Sequence, residues 1–307
     1  MFKKTESMLI TNKNSKIQNL FIYVIMIGII FFISQFINIK IWENFIINQI
    51  LKFDIFDLQF LQIFSQLLYF GTFLLIFMTI MYFVDGSTPT SVGFSKKNIF
   101  FNLIIGIILG FISFTIIYFL VCLFGDVKIG FEKNINIPAI ISIFIGFLIQ
   151  GTAEEVILRG YLMNKISGRG YILFAILFNS ILFSALHLTN PGISFMAILN
   201  LTIFGIIFSQ LFYITDNMWI VGAAHGIWNF TQSVIFGVLV SGLKIPYSIF
   251  NTDLSSQNEL ISGGNFGLEA SIVTTIVGIF FILILYSYMN KKFKVCNVCS
   301  EEQNIDL

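Results

Sequence analysis

Eight stretches of this chain stay apolar for about the 20 residues a helix needs to cross a hydrocarbon core. They are roughly 20–39, 58–84, 99–124, 137–158, 171–188, 194–214, 217–240 and 268–290. In lipid every backbone N–H and C=O must find its partner within the protein, so only helices and closed barrels span. The runs are long and continuous rather than short and alternating, which argues against a barrel and predicts no strands. The expected fold is therefore all-α: a polytopic transmembrane helical bundle of about eight membrane helices around an intramembrane polar cavity. Only 11% of residues are charged and mean hydropathy is +0.90, against about 25% charged in a soluble domain. The net charge of +1 gives no footprint for nucleic acid.

Residues 1–19 are polar, with Lys3, Lys4, Lys13 and Lys16. The apolar run behind them is too long for a signal h-region and has no Ala-x-Ala-like cleavage site, so it reads as the first membrane helix. With the N-terminus inside, twelve Lys and Arg fall on inner segments and five on outer ones, the bias expected of cytoplasmic loops. Both termini are then expected to be cytoplasmic in a multi-pass cell-membrane protein. The organisation reads as a polar tail (1–19), one membrane-embedded domain (20–290) and a second tail (291–307). Asp85-Gly-Ser-Thr-Pro89 punctuates the end of the second helix, and Pro138 suits the first turn of the fourth. Cys122 reads as a small core residue. Cys296 and Cys299 in the C-terminal tail make half a zinc site at best.

The chemistry is carried by the few ionisable groups inside the apolar runs. Such groups cost about 2.5–3.5 kcal/mol each on insertion scales and usually mark function. The chain has two histidines, His187 and His225, and both lie in apolar segments. Glu154, Glu155 and Arg159 lie in another. Glu155 and Arg159 are four apart and share a helix face, while Glu154 is rotated by about 100°. Arg159 is then free to neutralise Glu155 while Glu154 turns toward a cavity as a general base on water. Read alone, the same residues fit a structural ion pair at a helix end equally well. Phe183 precedes His187 by four on the same helix face, placed to shield its ring from lipid or to pack under it; a lone His of this kind is more often a hydrogen-bonded core residue. His225 and Asn229 share a face and offer two donors at one place, suited to an oxyanion or to holding a metal ligand. Together the set suits peptide-bond hydrolysis by activated water.

Glu154-Glu155-Val-Ile-Leu-Arg159, Phe183 to His187 and His225 to Asn229 occur in order, each on its own expected helix. This trio resembles the CPBP family of intramembrane proteases, the CAAX prenyl protease and bacteriocin-processing (Abi-type) proteins. The resemblance covers about 137–240 and extends upstream to Ser91-Val-Gly-Phe94. Gly263-Gly-Asn-Phe-Gly-Leu-Glu269 is similar to a stretch in some bacterial members. The resemblance implies a protease core at about 99–290 with a conical, lipid-open cavity. It implies that Glu154 is the water-activating base paired with His187, that His225 and Asn229 stabilise the oxyanion, and that Glu155 and Arg159 support them. It implies zinc on Glu154, His187 and His225 if a metal is bound, and a metal-free glutamate mechanism otherwise; the HExxH spacing of zincins is absent. The implied partners are the lipid bilayer and a membrane-associated peptide or protein substrate, in bacterial peptide maturation, bacteriocin immunity or CAAX-like processing. Abundant Ile, Phe, Asn and Lys suggest an AT-rich bacterial genome. Two rivals remain: a non-catalytic immunity or scaffold protein of the same fold, and a proton-coupled transporter, which would predict an internal repeat that the chain lacks.

Overall fold

The computed structural model describes residues 2–17, 19–40, 49, 56–125, 127–254 and 258–302, with 293–302 as backbone alone. The chain is a helical bundle. Its helices are α1 (Glu6–Asn14), α2 (Leu20–Ile37), α3 (Leu58–Asp85), α4 (Ile99–Phe124), α5 (Ile137–Glu155), α6 (Ile172–Ala185), α7 (Phe195–Thr215), α8 (Met218–Phe230), α9 (Glu259–Ser262) and α10 (Ile272–Glu302). A helix is present at each of the eight expected stretches. Among the described residues, six helical segments are long and apolar enough to cross a membrane by themselves, and α6 is a shorter apolar helix of 14 residues.

The helix ends follow local chemistry. Asn136, Ser194 and Asn217 cap α5, α7 and α8 by accepting from Ala139, Ala197 and Trp219 backbone N–H groups, which satisfies otherwise orphaned donors. Pro138 stands at the start of α5. Gly86 ends α3 with φ 74°, where a side chain would be strained.

Four features depart from the sequence reading. A helix wider than α continues α5 through Val156–Met163, and a last turn carries it to Asn164–Ser167. A similar widening closes α8 at Thr231–Ile235 rather than at 240. Helix α6 stops at Ala185, so His187 sits on the following turn. Strands were not expected, yet β1 (Lys128–Phe131) and β2 (Phe250–Asp253) pair antiparallel, Lys128 opposite Asp253. Both lie in polar connections outside the apolar runs.

The N-terminal segment folds as α1, packed beside the end of α5. Met8 is buried, Thr5 and Ser7 bond to Asp216, and Thr11 donates to the Ser91 carbonyl. The centre of the bundle is the contact of α5 with α8. Gly151 and Gly226 face each other there: a Cβ on Gly151 would lie 2.5 Å from the Gly226 nitrogen. Glycine at both positions lets the two backbones approach closely, and this brings the side chains of α5 within reach of α8.

Candidate active site

Helix α5 presents Gln150, Glu154, Glu155 and Arg159, and α8 presents His225 and Asn229. One polar belt joins them. The Arg159 guanidinium donates to Glu155 Oε1 at 2.9 Å, and His225 Nδ1 lies 2.8 Å from the same oxygen. His225 Nε2 stands 3.9 Å from Glu154 Oε2. Gln150 Nε2 donates to Glu154 Oε1 at 2.9 Å, and Asn229 Nδ2 donates to Gln150 Oε1 at 3.1 Å. Glu155 and Arg159 are fully buried, and the Glu154 side chain is 15% exposed.

Burying charge is tolerable only where partners are close and geometry is good. Arg159 meets that condition. Besides Glu155 it donates to the Gly205 carbonyl at 3.2 Å and reaches Ser209. Its guanidinium lies 4.8 Å from the Phe183 ring centroid and 5.9 Å from that of Phe208, both within cation–π range. Phe208 in turn stacks on His225 at 4.9 Å with an 18° tilt. The imidazole is thus clamped between an aromatic face and a carboxylate. The two acids differ at Oε1, where Glu155 takes two donors and Glu154 takes one from Gln150, and the Oε2 of each is buried with no hydrogen-bond partner.

His187 approaches from the turn after α6. Its Nδ1 lies 2.8 Å from the Phe183 carbonyl. A carbonyl only accepts, so Nδ1 carries the proton there and Nε2 is left as the free nitrogen. Phe183 also packs against the His187 ring at 4.8 Å and the His225 ring at 5.9 Å.

His187, His225 and Asn229 line one small cavity with Gln150, Ser241 and Glu269. Its volume, about 20 Å³, holds about one water. Glu154 is not in the lining; it meets the cavity through its neighbours Gln150 and His225. Its expected pairing with His187 is not among the contacts formed, and the nearest imidazole nitrogen is that of His225.

Three cavity residues escaped sequence reasoning. Gln150 carried a usable signal, since it lies four before Glu154 on the same helix face. Glu269 follows a glycine-rich segment at the mouth of an apolar run. Ser241 had no signal.

The expected zinc ligands were Glu154, His187 and His225. Nδ1 of each imidazole is taken, by Glu155 and by the Phe183 carbonyl. Among the described residues no three His, Cys, Asp or Glu side chains converge as a ligand set. Holding Nδ1 in this way is how a metal-ligating histidine presents Nε2, but the three side chains do not converge as a set among the described residues, so no step below passes through a metal. The side chains of Cys296 and Cys299 lie outside the described residues.

The bundle of apolar helices thus sets an acid–imidazole–amide belt beside a small cavity. Residues 136–231 match the Rce1-like family model, described as type II CAAX prenyl endopeptidase Rce1-like. The match spans the N-cap of α5 to the end of α8 and contains every residue of the belt. No curated protein and no solved structure matches the chain.

Proposed function

We propose that the chain is an intramembrane endopeptidase that hydrolyses a peptide bond of a membrane-associated peptide or protein. The observation that carries this reading is the α5–α8 belt set against a cavity the size of one water. The Rce1-like match supports the same class.

In the proposed step the Glu154 side chain turns into the cavity it adjoins, and a water bound there directs one O–H to Glu154 and the other to Nε2 of His187. Glu154 takes the proton as the water oxygen bonds to the carbonyl carbon. The oxyanion is met by Nε2 of a His225 that donates from both ring nitrogens and by the Asn229 carboxamide. Such a His225, with Arg159, balances the two carboxylates. The proton held by Glu154 passes to the leaving nitrogen as the C–N bond breaks, giving a carboxylic acid and an amine. Asn229 is engaged with Gln150, so substrate must draw that carboxamide away.

The supporting residues Glu155 and Arg159 hold His225 and stand apart from the bond-breaking atoms. The bias of Lys and Arg supports cytoplasmic termini. The substrate classes that follow are a maturing bacterial peptide, a bacteriocin-immunity target or a CAAX-like tail. The step runs without metal, so a chelator should leave turnover unchanged; loss on chelation with recovery on zinc would overturn that part.

One observation favours a second reading. The cavity has no room for a peptide as it stands, which suits a non-catalytic immunity or scaffold protein. Glu154→Ala separates the two. Membrane-peptide proteomics of cells with wild-type or Glu154→Ala protein should show neo-termini only with the wild type. Biological function retained by a properly inserted Glu154→Ala protein would establish the scaffold instead.

A further inference from the structure

Glu154 and His225 stand at a separation that needs a cause. Their facing atoms, Oε2 and Nε2, are 3.9 Å apart, too far for a hydrogen bond. Oε2 is buried and has no other partner. The His225 of the proposed step donates from both ring nitrogens, so the acid is attracted to Nε2 in a mostly buried site. Closing that gap would occupy two atoms the step needs free: the oxygen that takes the proton of water and the nitrogen that meets the oxyanion.

Gln150 supplies what holds them apart. It lies one turn before Glu154 on the same face of α5 and donates from Nε2 to Glu154 Oε1 at 2.9 Å. Its Oε1 accepts from Asn229 Nδ2 on α8 at 3.1 Å. The direction of this chain is fixed by the charge at its end. A carboxylate only accepts, so Gln150 turns its nitrogen to Glu154, and its oxygen then calls for a donor from Asn229. The carboxamide is fastened at both ends. It reaches Asn229 because the next residue, Gly151, lets α5 approach α8. Gln150 is also no plain packing residue: it is half-buried and lines the cavity with His187, His225 and Asn229. It is neutral, so it holds one carboxylate without adding charge to a belt of two acids, Arg159 and His225.

We infer that Gln150 is a positioning residue for the proposed hydrolysis, a strut that holds Glu154 by Oε1 so that Oε2 stays off His225 and both groups remain free for water and oxyanion. The kinetic consequence rests on the proposed function; the strut itself rests on the geometry alone. With Oε1 fastened, Oε2 is the oxygen that turns into the cavity, whose wall Gln150 helps to form.

The chain's two histidines make the strut directly readable. Protein labelled with ¹⁵N-histidine and held in nanodiscs gives two sets of ring signals, assigned by His187→Gln. Gln150→Met keeps the length of the side chain and removes both hydrogen bonds. Glu154 should then close on His225, shifting the His225 Nε2 signal and leaving His187 in place. A merely structural role predicts no shift, or a shift of both. Turnover is read on a quenched-fluorescence peptide copied from a Glu154-dependent cut site. In Gln150→Met kcat should fall by about 10–100-fold, the equivalent of one hydrogen bond to a charged group. KM should not change, because the groups that the strut keeps free are engaged in the transition state. Gln150→Ala repeats both readings if Gln150→Met does not insert; failure of both to insert makes Gln150 structural and overturns the inference. An unmoved His225 signal overturns the strut. A moved signal with wild-type kcat, or a raised KM at wild-type kcat, overturns the positioning role and leaves the hydrolysis standing. If the wild type yields no Glu154-dependent termini, hydrolysis and role fall together, while the His225 signal still decides the strut.

Discussion

Among the described residues, the buried pairs Asp85–Lys165 and Glu155–Arg159 are finished to different degrees. Asp85 and Lys165 pair at 2.9 Å where α3 ends beside the last turn of α5, with side chains 1% and 4% exposed. Asp85 accepts five hydrogen bonds: from Ser15 Oγ and the Lys16 and Ile17 N–H groups on Oδ1, and from Tyr161 and Lys165 on Oδ2. Lys165 also sits over the Tyr23 ring at 4.3 Å. Both Asp85 oxygens are engaged. Glu155 and Arg159 are buried as deeply, but they belong to a belt with two carboxylate oxygens, Glu154 Oε2 and Glu155 Oε2, that have no hydrogen-bond partner. A buried ion pair in a membrane helix is therefore weak evidence of function by itself. Hydrogen-bonding capacity left unspent beside a cavity is better evidence, because it costs stability and serves only a molecule yet to arrive.

The comparison breaks most sharply on turnover. Glu154→Gln should slow cleavage by about 10²–10⁴-fold, the span of general-base catalysis, while thermal unfolding in detergent stays level or improves. Asp85→Asn should do the reverse. It strands Lys165 without its counter-charge, a loss of about 3–5 kcal/mol for a broken buried pair, yet each folded molecule should cleave at the wild-type rate. If Glu154→Gln unfolds the protein, or Asp85→Asn abolishes turnover in folded material, the two pairs do not divide as stated. Gly151→Ala should strike both quantities. Its Cβ would press on the Gly226 backbone, part α5 from α8 and cost about 1–3 kcal/mol of overpacking, with turnover lost along with the belt. Wild-type turnover in Gly151→Ala would mean the belt tolerates a wider gap than the glycines impose.

This division also marks what the sequence could reveal. The membrane helices were legible because a 20-residue apolar run has few alternatives in lipid. Glu155 with Arg159 and His225 with Asn229 were legible because each pair lies four apart on one helix, and Glu154 because it is a second acid inside an apolar run. His187 was legible as a residue but not as a position, since helix α6 ends two residues before it. Asp85 read as helix-end punctuation beside Gly86, and Lys165 as a loop charge. Their union depends on α3 meeting the end of α5, which no local pattern encodes. Glu269 was hidden for a similar reason: it reaches the cavity by a loop path through Gly267, and loops have no periodicity to read. The α1 helix was hidden because its polar residues spend their hydrogen bonds on Asp216, Asn164 and Ser91 rather than on water.

The smallest effect tests the claim that the Asp85 network is saturated. Tyr161 donates to Asp85 Oδ2 at 3.0 Å, an oxygen that Lys165 also reaches. Tyr161→Phe removes one donor and leaves four. No acceptor is orphaned, so the loss should be that of one ordinary hydrogen bond, about 1 kcal/mol. The ring should stay packed, because its edge contacts with Tyr23 and Phe77 need no hydroxyl. Unfolding by heat or denaturant reads the shift, and cleavage per folded molecule should not change. A loss several times larger would mean that the five donors act as one cooperative unit. A change in turnover would mean that the finished end of the bundle communicates with the unfinished one along the wide-turned segment Val156–Met163, on which Tyr161 and Arg159 both lie.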